Sequence, residues 1–319
     1  MSLRKLSALL VLAALTACGG SGSTHLPSTP TTTNQSSHKP QDILGGVGGL
    51  LSIVLCDAPP HIGNLVPTEI DLAVDSVAVV SNGTVNTIAQ YPQPYTVNVL
   101  DQPTSGGSQI GIGQYFSGFY QQVQFTFDVS KSHLVANGTN YPISFLVNNG
   151  AVSSAGAGPT TTSSTSNGTI TVTVNGNFTI GDNPAASIQA DFNALESLAM
   201  APDGSIISRP TLFAVPYSEA GRVAGTVTNA SGGGVSGATV VALDSNGNVA
   251  NTTSTDENGA YELHTLSAGT YSIVVYNSYT TATGQTVTAS GNTNAAASVN
   301  GPSVTVNAQD QTQLQAIND

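Results

Sequence analysis

The sequence has no tryptophan, two cysteines, two methionines and few charges: Asp, Glu, Lys and Arg make up 8% of its 319 residues. Typical soluble domains carry roughly 25%. With Gly, Asn, Ser and Thr abundant in their place, turns and strands are favoured over charged surface helices. Lys and Arg together number 6 and the net charge is -12. A chain so short of cations cannot release phosphate counterions, which makes nucleic acid and anionic lipid headgroups poor partners, and no nucleic acid is expected. The acidity keeps the molecule soluble. Two cysteines cannot build a disulfide framework, and one alone cannot build a structural zinc site. No G-x-S-x-G, H-E-x-x-H or P-loop occurs, and "GIGQYF" from Gly111 lacks the third glycine and following helix of a dinucleotide site. No catalytic residue, metal site or cofactor is expected.

What is present begins with an address. Arg4 and Lys5 precede an apolar run from Leu6 to Leu15, then Thr16-Ala17-Cys18-Gly19. Basic start, short apolar centre and small residues at a cut are the pattern of a secretory signal peptide over 1–17, too short to span a membrane. "LTAC" resembles the bacterial lipobox, which implies acylation of Cys18; the alternative is an ordinary signal peptide with a chance cysteine. Several acyl chains would anchor the protein durably. Gly19, in place of an Asp, points to the outer membrane. Residues 18–44, rich in Gly, Ser, Thr and Pro at their start, read as the lipidated cysteine and a tether, with His25 and His38 solvated.

Strand signals start at Leu50. Val123, Phe125, Phe127 and Val129 alternate with polar residues, as do Ile170, Val172 and Val174. Ile70, Leu72 and Val74 keep one phase, Val77 and Val79 the other, so a bulge is expected near Asp75-Ser76. Asn-Gly, the dipeptide of tight hairpins, occurs at 82, 137, 149, 167, 175, 246, 258 and 300. The expected fold class is all-β: two antiparallel sandwiches in series, at 45–218 and 219–308, with a tail over 309–319. Residues 151–168 read as a flexible loop, and those after Tyr276 as a long loop or extra hairpin before a last strand at Ser303 to Val306.

Two resemblances sharpen this. "LLSIVLCDAPP", "PYTVNVLD", "FSGFYQQVQFTFD", and "ADFNALESL" before "RPTLFAV" together resemble domain-of-unknown-function family 4382, found in secreted lipoproteins. The stretch after Ala220, with Gly225-Thr-Val, Val235-Ser-Gly237, Thr255-Asp256-Glu-Asn-Gly259 and Ala268-Gly269-Thr-Tyr271, resembles the carboxypeptidase regulatory-like family, which implies a transthyretin-like sandwich. Carbohydrate binding is implied by that resemblance alone. Tyr115, Tyr120, Tyr261, Tyr276 and Tyr279 are the available stacking rings, the first four at positions where core packing is the commoner fate.

The candidate chemistry is thin. Asp244-Ser-Asn246-Gly-Asn248 has the opening of a calcium loop but Thr255 where the bidentate Glu belongs, so a hairpin turn is the expected reading. Glu69, Asp71 and Asp75 read as charges guarding a sheet edge. His61, His133 and His264 read as turn or surface residues, and Cys56 as a small apolar residue packed in a strand. The function these readings favour is a lipid-anchored, non-enzymatic envelope protein for adhesion, glycan contact or scaffolding. An accessory subunit of an envelope enzyme or transporter is the alternative. A hydrolase would need a Ser or Asp beside a histidine in a closed cleft.

Overall fold

The computed structural model describes residues 49–58, 60–62, 65–101, 108–147, 160–180, 185–281, 283–289 and 298–318. The expected signal peptide, Cys18 and the tether lie outside them. The described chain is nearly all-β, with 69% strand and almost no helix, arranged in several sheets.

The first strands are β1 (Gly49–Cys56), β2 (Pro67–Ser81), β3 (Thr84–Asn98), β4 (Ser108–Tyr115), β5 (Gly118–Asp128), β6 (His133–Ala136) and β7 (Thr139–Phe145). Next come β8 (Thr160–Ser166), β9 (Thr169–Ile180), β10 (Ala185–Asp191), a one-turn helix α1 (Ala194–Ser197), β11 (Leu198–Met200), β12 (Ile206–Ser208) and β13 (Phe213–Pro216). They form a four-stranded sheet, β13-β10-β1-β4, and a nine-stranded sheet, β11-β12-β7-β6-β2-β5-β9-β8 with β3 on β2. β10 returns parallel to β1, from Leu50 opposite Ala185 to Cys56 opposite Asp191. Leu51, Ile53, Leu55, Ile70, Leu72, Phe125 and Phe127 share one core at 0% exposure. Burying each such side chain contributes about 1.5–3 kcal/mol.

The register of β2 slips between Val74 and Ser76 against both β3 and β5. That bulge turns Val77 and Val79 back to the core side, so both phases of the strand are buried. Asp71 pairs with Asn98 of β3 and also with His133 of β6, so β2 is flanked on both edges. The expected edge protection by Glu69, Asp71 and Asp75 is therefore corrected. Residues 160–166, expected within a loop, form the antiparallel strand β8 beside β9, while 151–159 lie outside the described residues. Neighbouring hydroxyl side chains suffice there because the sheet supplies the backbone bonds.

The Asn-Gly pairs divide by context. At 82, 137 and 167 both residues have positive φ, as tight two-residue hairpins require. At 246 and 258 only the glycine does. Asn175-Gly176 and Asn300-Gly301, expected as turns, lie inside strands. There the missing Cβ gives room instead, since one on Gly176 would stand 2.9 Å from the Phe178 ring. Asn149 lies outside the described residues.

The second group of strands is β14 (Ala220–Thr228), β15 (Thr239–Leu243), β16 (Val249–Ser254), β17 (Ala260–Ser267), β18 (Gly269–Tyr276), β19 (Ser278–Thr280), β20 (Thr286–Thr288), β21 (Ser298–Val306), β22 (Gln311–Gln313) and β23 (Ile317–Asn318). Sheet β17-β14-β22, with β23 on β14, faces sheet β16-β15-β18-β21 across a separate core that includes Val223, Leu263, Ile273 and Val275. Residues 309–319 were expected as a tail. Instead β22 and β23 run parallel to β14, and Ile317 is buried at 6%. β19 and β20 form an extra hairpin.

Candidate functional site

Among the described residues, a dense set of buried polar side chains lies where the two groups of strands meet. Each side reaches it through the ends of its own strands: Cys56 at the end of β1 and Asp57 after it, Gln189 to Asp191 of β10 and Asn193 before α1 on one side; β16, β17 and the β19–β20 hairpin on the other. β17 lies against β10 and β13, and α1 against β16.

Asn251, fully buried, is the centre. Its amide nitrogen donates to Asp191 Oδ2 and to the His264 carbonyl, each at 2.7 Å. Its oxygen accepts from Asn193 Nδ2 and from the Thr252 N–H, again at 2.7 Å. Asn193 works in both directions: its oxygen caps α1 by accepting the Glu196 N–H at 3.0 Å, and its nitrogen donates to the Thr252 carbonyl at 2.9 Å. The Tyr279 hydroxyl donates to Glu196 Oε1 at 2.7 Å, Gln189 Nε2 donates to Thr265 Oγ1 at 3.2 Å, and Gln285 Oε1 accepts the Met200 N–H at 3.0 Å. Thr265 holds φ +56, a left-handed conformation that strains a β-branched residue by about 1–3 kcal/mol. It persists because its surroundings over-determine it.

Three carboxylates are enclosed here: Asp57, Asp191 and Glu196, all at most 5% exposed. Asp57 accepts the N–H groups of Ala58 at 2.7 Å and Ala194 at 2.9 Å. Burial, with the neighbouring Asp191 adding to it, pushes the Asp57 carboxyl well above the usual carboxylate range. Burial also raises the Tyr279 hydroxyl, and the Glu196 charge it touches raises it further. Hydrogen bonds reach all three groups: Asp57 from the Ala58 and Ala194 N–H groups, Asp191 from Asn251 and Glu196 from Tyr279.

The residues singled out from sequence are distributed as follows. Cys56 is buried, its thiol donating to the Ala190 carbonyl at 3.4 Å. The Asp244 turn satisfies its own carboxylate: Oδ1 accepts the Asn246 and Asn248 N–H groups, each at 2.8 Å. Those bonds lower the Asp244 pKa, the Asn248 N–H most of all. His264, expected at a turn or surface, is 2% exposed on the face of β17 opposite the core residues Leu263 and Tyr261. The first body covers that face, which sequence periodicity could not indicate. His133 Nε2 lies 3.3 Å from Asp71 Oδ2 on partly exposed strands. His61 donates its backbone N–H to Ser254 Oγ at 3.2 Å, with ring Nδ1 3.5 Å from the same oxygen. Burial lowers the His61 pKa. A Ser does stand beside a histidine, yet Ser254 is 5% exposed and lines neither described concavity, of about 480 and 50 Å³. Tyr115, Tyr120 and Tyr261 are core rings, and Tyr276 is half-buried with its ring centroid 5.4 Å from that of Tyr279. Tyr279, the ring left for a sugar, is spent on the seam.

Residues 222–316 match the carboxypeptidase regulatory-like domain. The match extends past Val306 into β22, in keeping with strands where a tail was expected. The chain matches no curated protein. Among solved structures it is similar to a 9R-lipoxygenase from Cyanothece, at 11% identity and TM-score 0.22, covering 33% of this chain and 17% of that one. It is also similar to a variant of the major pilin subunit of Bacillus cereus, at 11% identity and TM-score 0.25, over 85% of this chain and 99% of that one. The minor pilin of Streptococcus agalactiae follows at 12% identity and TM-score 0.22, over 85% and 94%. Overlaps this low say nothing about what the chain does. Among the described residues, no helix is long and apolar enough to cross a membrane.

Proposed function

We propose that this is a lipid-anchored protein of the cell envelope, acylated at Cys18 and held at the outer membrane. Its two β bodies serve adhesion or scaffolding without catalysis. The sealed seam is the observation that carries this reading. Polar side chains that a hydrolase would present in an open cleft are instead bonded to one another across the junction, which makes a stiff two-body display unit. The N-terminal body is read as a member of domain-of-unknown-function family 4382, and its partner as another envelope protein. A glycan is disfavoured because Tyr115, Tyr120 and Tyr261 are buried and Tyr279 is engaged by Glu196 and Tyr276.

Metabolic labelling with a fatty acid tests the anchor. The wild-type chain incorporates label and Cys18→Ser does not, while protease shaving of intact cells reports on which side the bodies are displayed. An unacylated protein found inside the cell would sink the proposal. Purification with one stoichiometric envelope partner would make it an accessory subunit instead.

A further inference from the structure

Two buried acids of the first body lie at its crossing to the second. Cys56 closes β1 opposite Asp191 of β10, and Asp57, the next residue, feels the Asp191 charge. Asp191 Oδ2 is the acceptor that Asn251 reaches across the seam at 2.7 Å. Asp57 is tied to the same crossing by a second route. Its Oδ2 accepts the Ala194 N–H at 2.9 Å, and Asn193, one residue earlier, donates to Asn251 Oδ1 at 2.7 Å. Both routes end on Asn251, and both acids are at most 5% exposed.

Two carboxylates in one dry enclosure oppose each other's ionisation, since each has lost hydration and each repels the other. Burial and the Asp191 charge accordingly raise the Asp57 pKa. Water relieves that cost by entering, and the seam is where the enclosure parts most readily, because the bodies on either side keep separate cores. The titratable groups enclosed with Asp57 are Cys56 on β1, Asp191 on β10, Glu196 on α1 and His264 on β17, with Tyr279 reaching in from β19. Glu262 of β17 pairs with Arg222 at 3.2 Å, both partly exposed. Elsewhere on the seam His61 meets Ser254, with Asp256 and Glu257 acting on it.

From this geometry we infer that the junction is a proton-controlled joint: a neutral Asp57 lets the two bodies close on each other, and its ionisation beside Asp191 parts them at Asn251. One proton passes from the Asp57 carboxyl to solvent, and no other covalent bond changes. The stiff unit proposed above is then the protonated form. The Asp57 contribution to closure is fully present below the ordinary aspartate value of about 3.9. It is lost as pH rises to the raised value, the open fraction growing about tenfold per pH unit and then levelling off. The joint rests on the seam and not on the acyl anchor, so it is tested on a chain without lipid.

Cys56 is a built-in reporter. Its Sγ lies 3.7 Å from Gln189 Nε2, which reaches Thr265 of the second body at 3.2 Å, so the closed seam shields it. In the full chain carrying Cys18→Ser it is the one thiol. Its rate of modification by a maleimide, divided at each pH by the rate for the same chain in urea, measures opening. That ratio is expected to climb about tenfold per pH unit through the window, and to stay level when Asp57→Asn is added. His61 titrates in the opposite sense in both proteins, so their difference belongs to Asp57. Asp191→Asn keeps an acceptor for Asn251 but removes the repelling charge. It is expected to end the climb at a lower pH, which keeps the test decisive should Asp57→Asn fail to fold. Small-angle scattering should show two compact bodies farther apart at high pH, with circular dichroism unchanged. A level ratio in the Cys18→Ser chain, an equal climb with Asp57→Asn, or the scattering of an unfolded chain overturns the joint. Acylation is decided separately by labelling at Cys18.

Discussion

Gly259 cannot be replaced without moving backbone: its φ is +77, and a Cβ there would lie 2.2 Å from the Val227 carbonyl oxygen. Asp256 completes the turn, Oδ1 accepting the Asn258 and Ala260 N–H groups, each at 2.8 Å. We expect Gly259→Ala to lower the stability of the second body by about 2–3 kcal/mol in a urea titration. Gly269 is less constrained, since a Cβ there would meet the Tyr271 ring at an ordinary 3.7 Å. Tyr271 does bury its ring with a polar handle, its hydroxyl donating to the Ser267 carbonyl at 2.7 Å. Asp57 makes a pH-dependent contribution. A group whose folded pKa is raised lends stability that is fully present below its unfolded value and fades as pH rises through the folded one. The melting temperature should therefore fall from mild acid towards neutral pH by more in the wild type than in Asp57→Asn. His61 acts oppositely, its lowered pKa costing stability in acid, so the difference between the two proteins isolates Asp57. Equal slopes would remove the carboxyl from the account.

Elements differ in how far their sequence specifies them. The bulge in β2 was legible because the apolar phase changes at Asp75, and the register shift lies there. Hairpins at Asn82 and Asn137 were legible because the dipeptide itself favours the two positive φ angles. β8, β22 and β23 were not, since short polar segments acquire strand geometry only from the edge they pair with. Removing residues 309–319 would expose one side of β14 and unseat Ile317 and Leu314, which pack on the second core. The expected cost is about 3 kcal/mol, together with a tendency to associate through the opened edge, read by thermal melting and light scattering. A truncated chain as stable and as monodisperse as the full one would show that these strands are dispensable.

At the scale of the molecule, the seam decides whether the two bodies behave as one. Asn251→Ala leaves Asp191 and the His264 carbonyl short of a donor in a dry setting, a cost of about 3 kcal/mol concentrated at the junction. Calorimetry should then resolve two transitions where the wild type gives one. A single transition in the variant would mean that the bodies are coupled by some other contact. The sequence by itself determined the all-β class, the phases of the long strands, the tight hairpins and the resemblance now matched over residues 222–316, because each depends on neighbours within a few positions. Only the tertiary structure decided that Asp57, Asp191, Asn193, Glu196, Asn251 and His264 would be enclosed together. A polar residue carries no local mark of whether water or another domain will satisfy its hydrogen bonds, and that choice was made by how the two bodies pack.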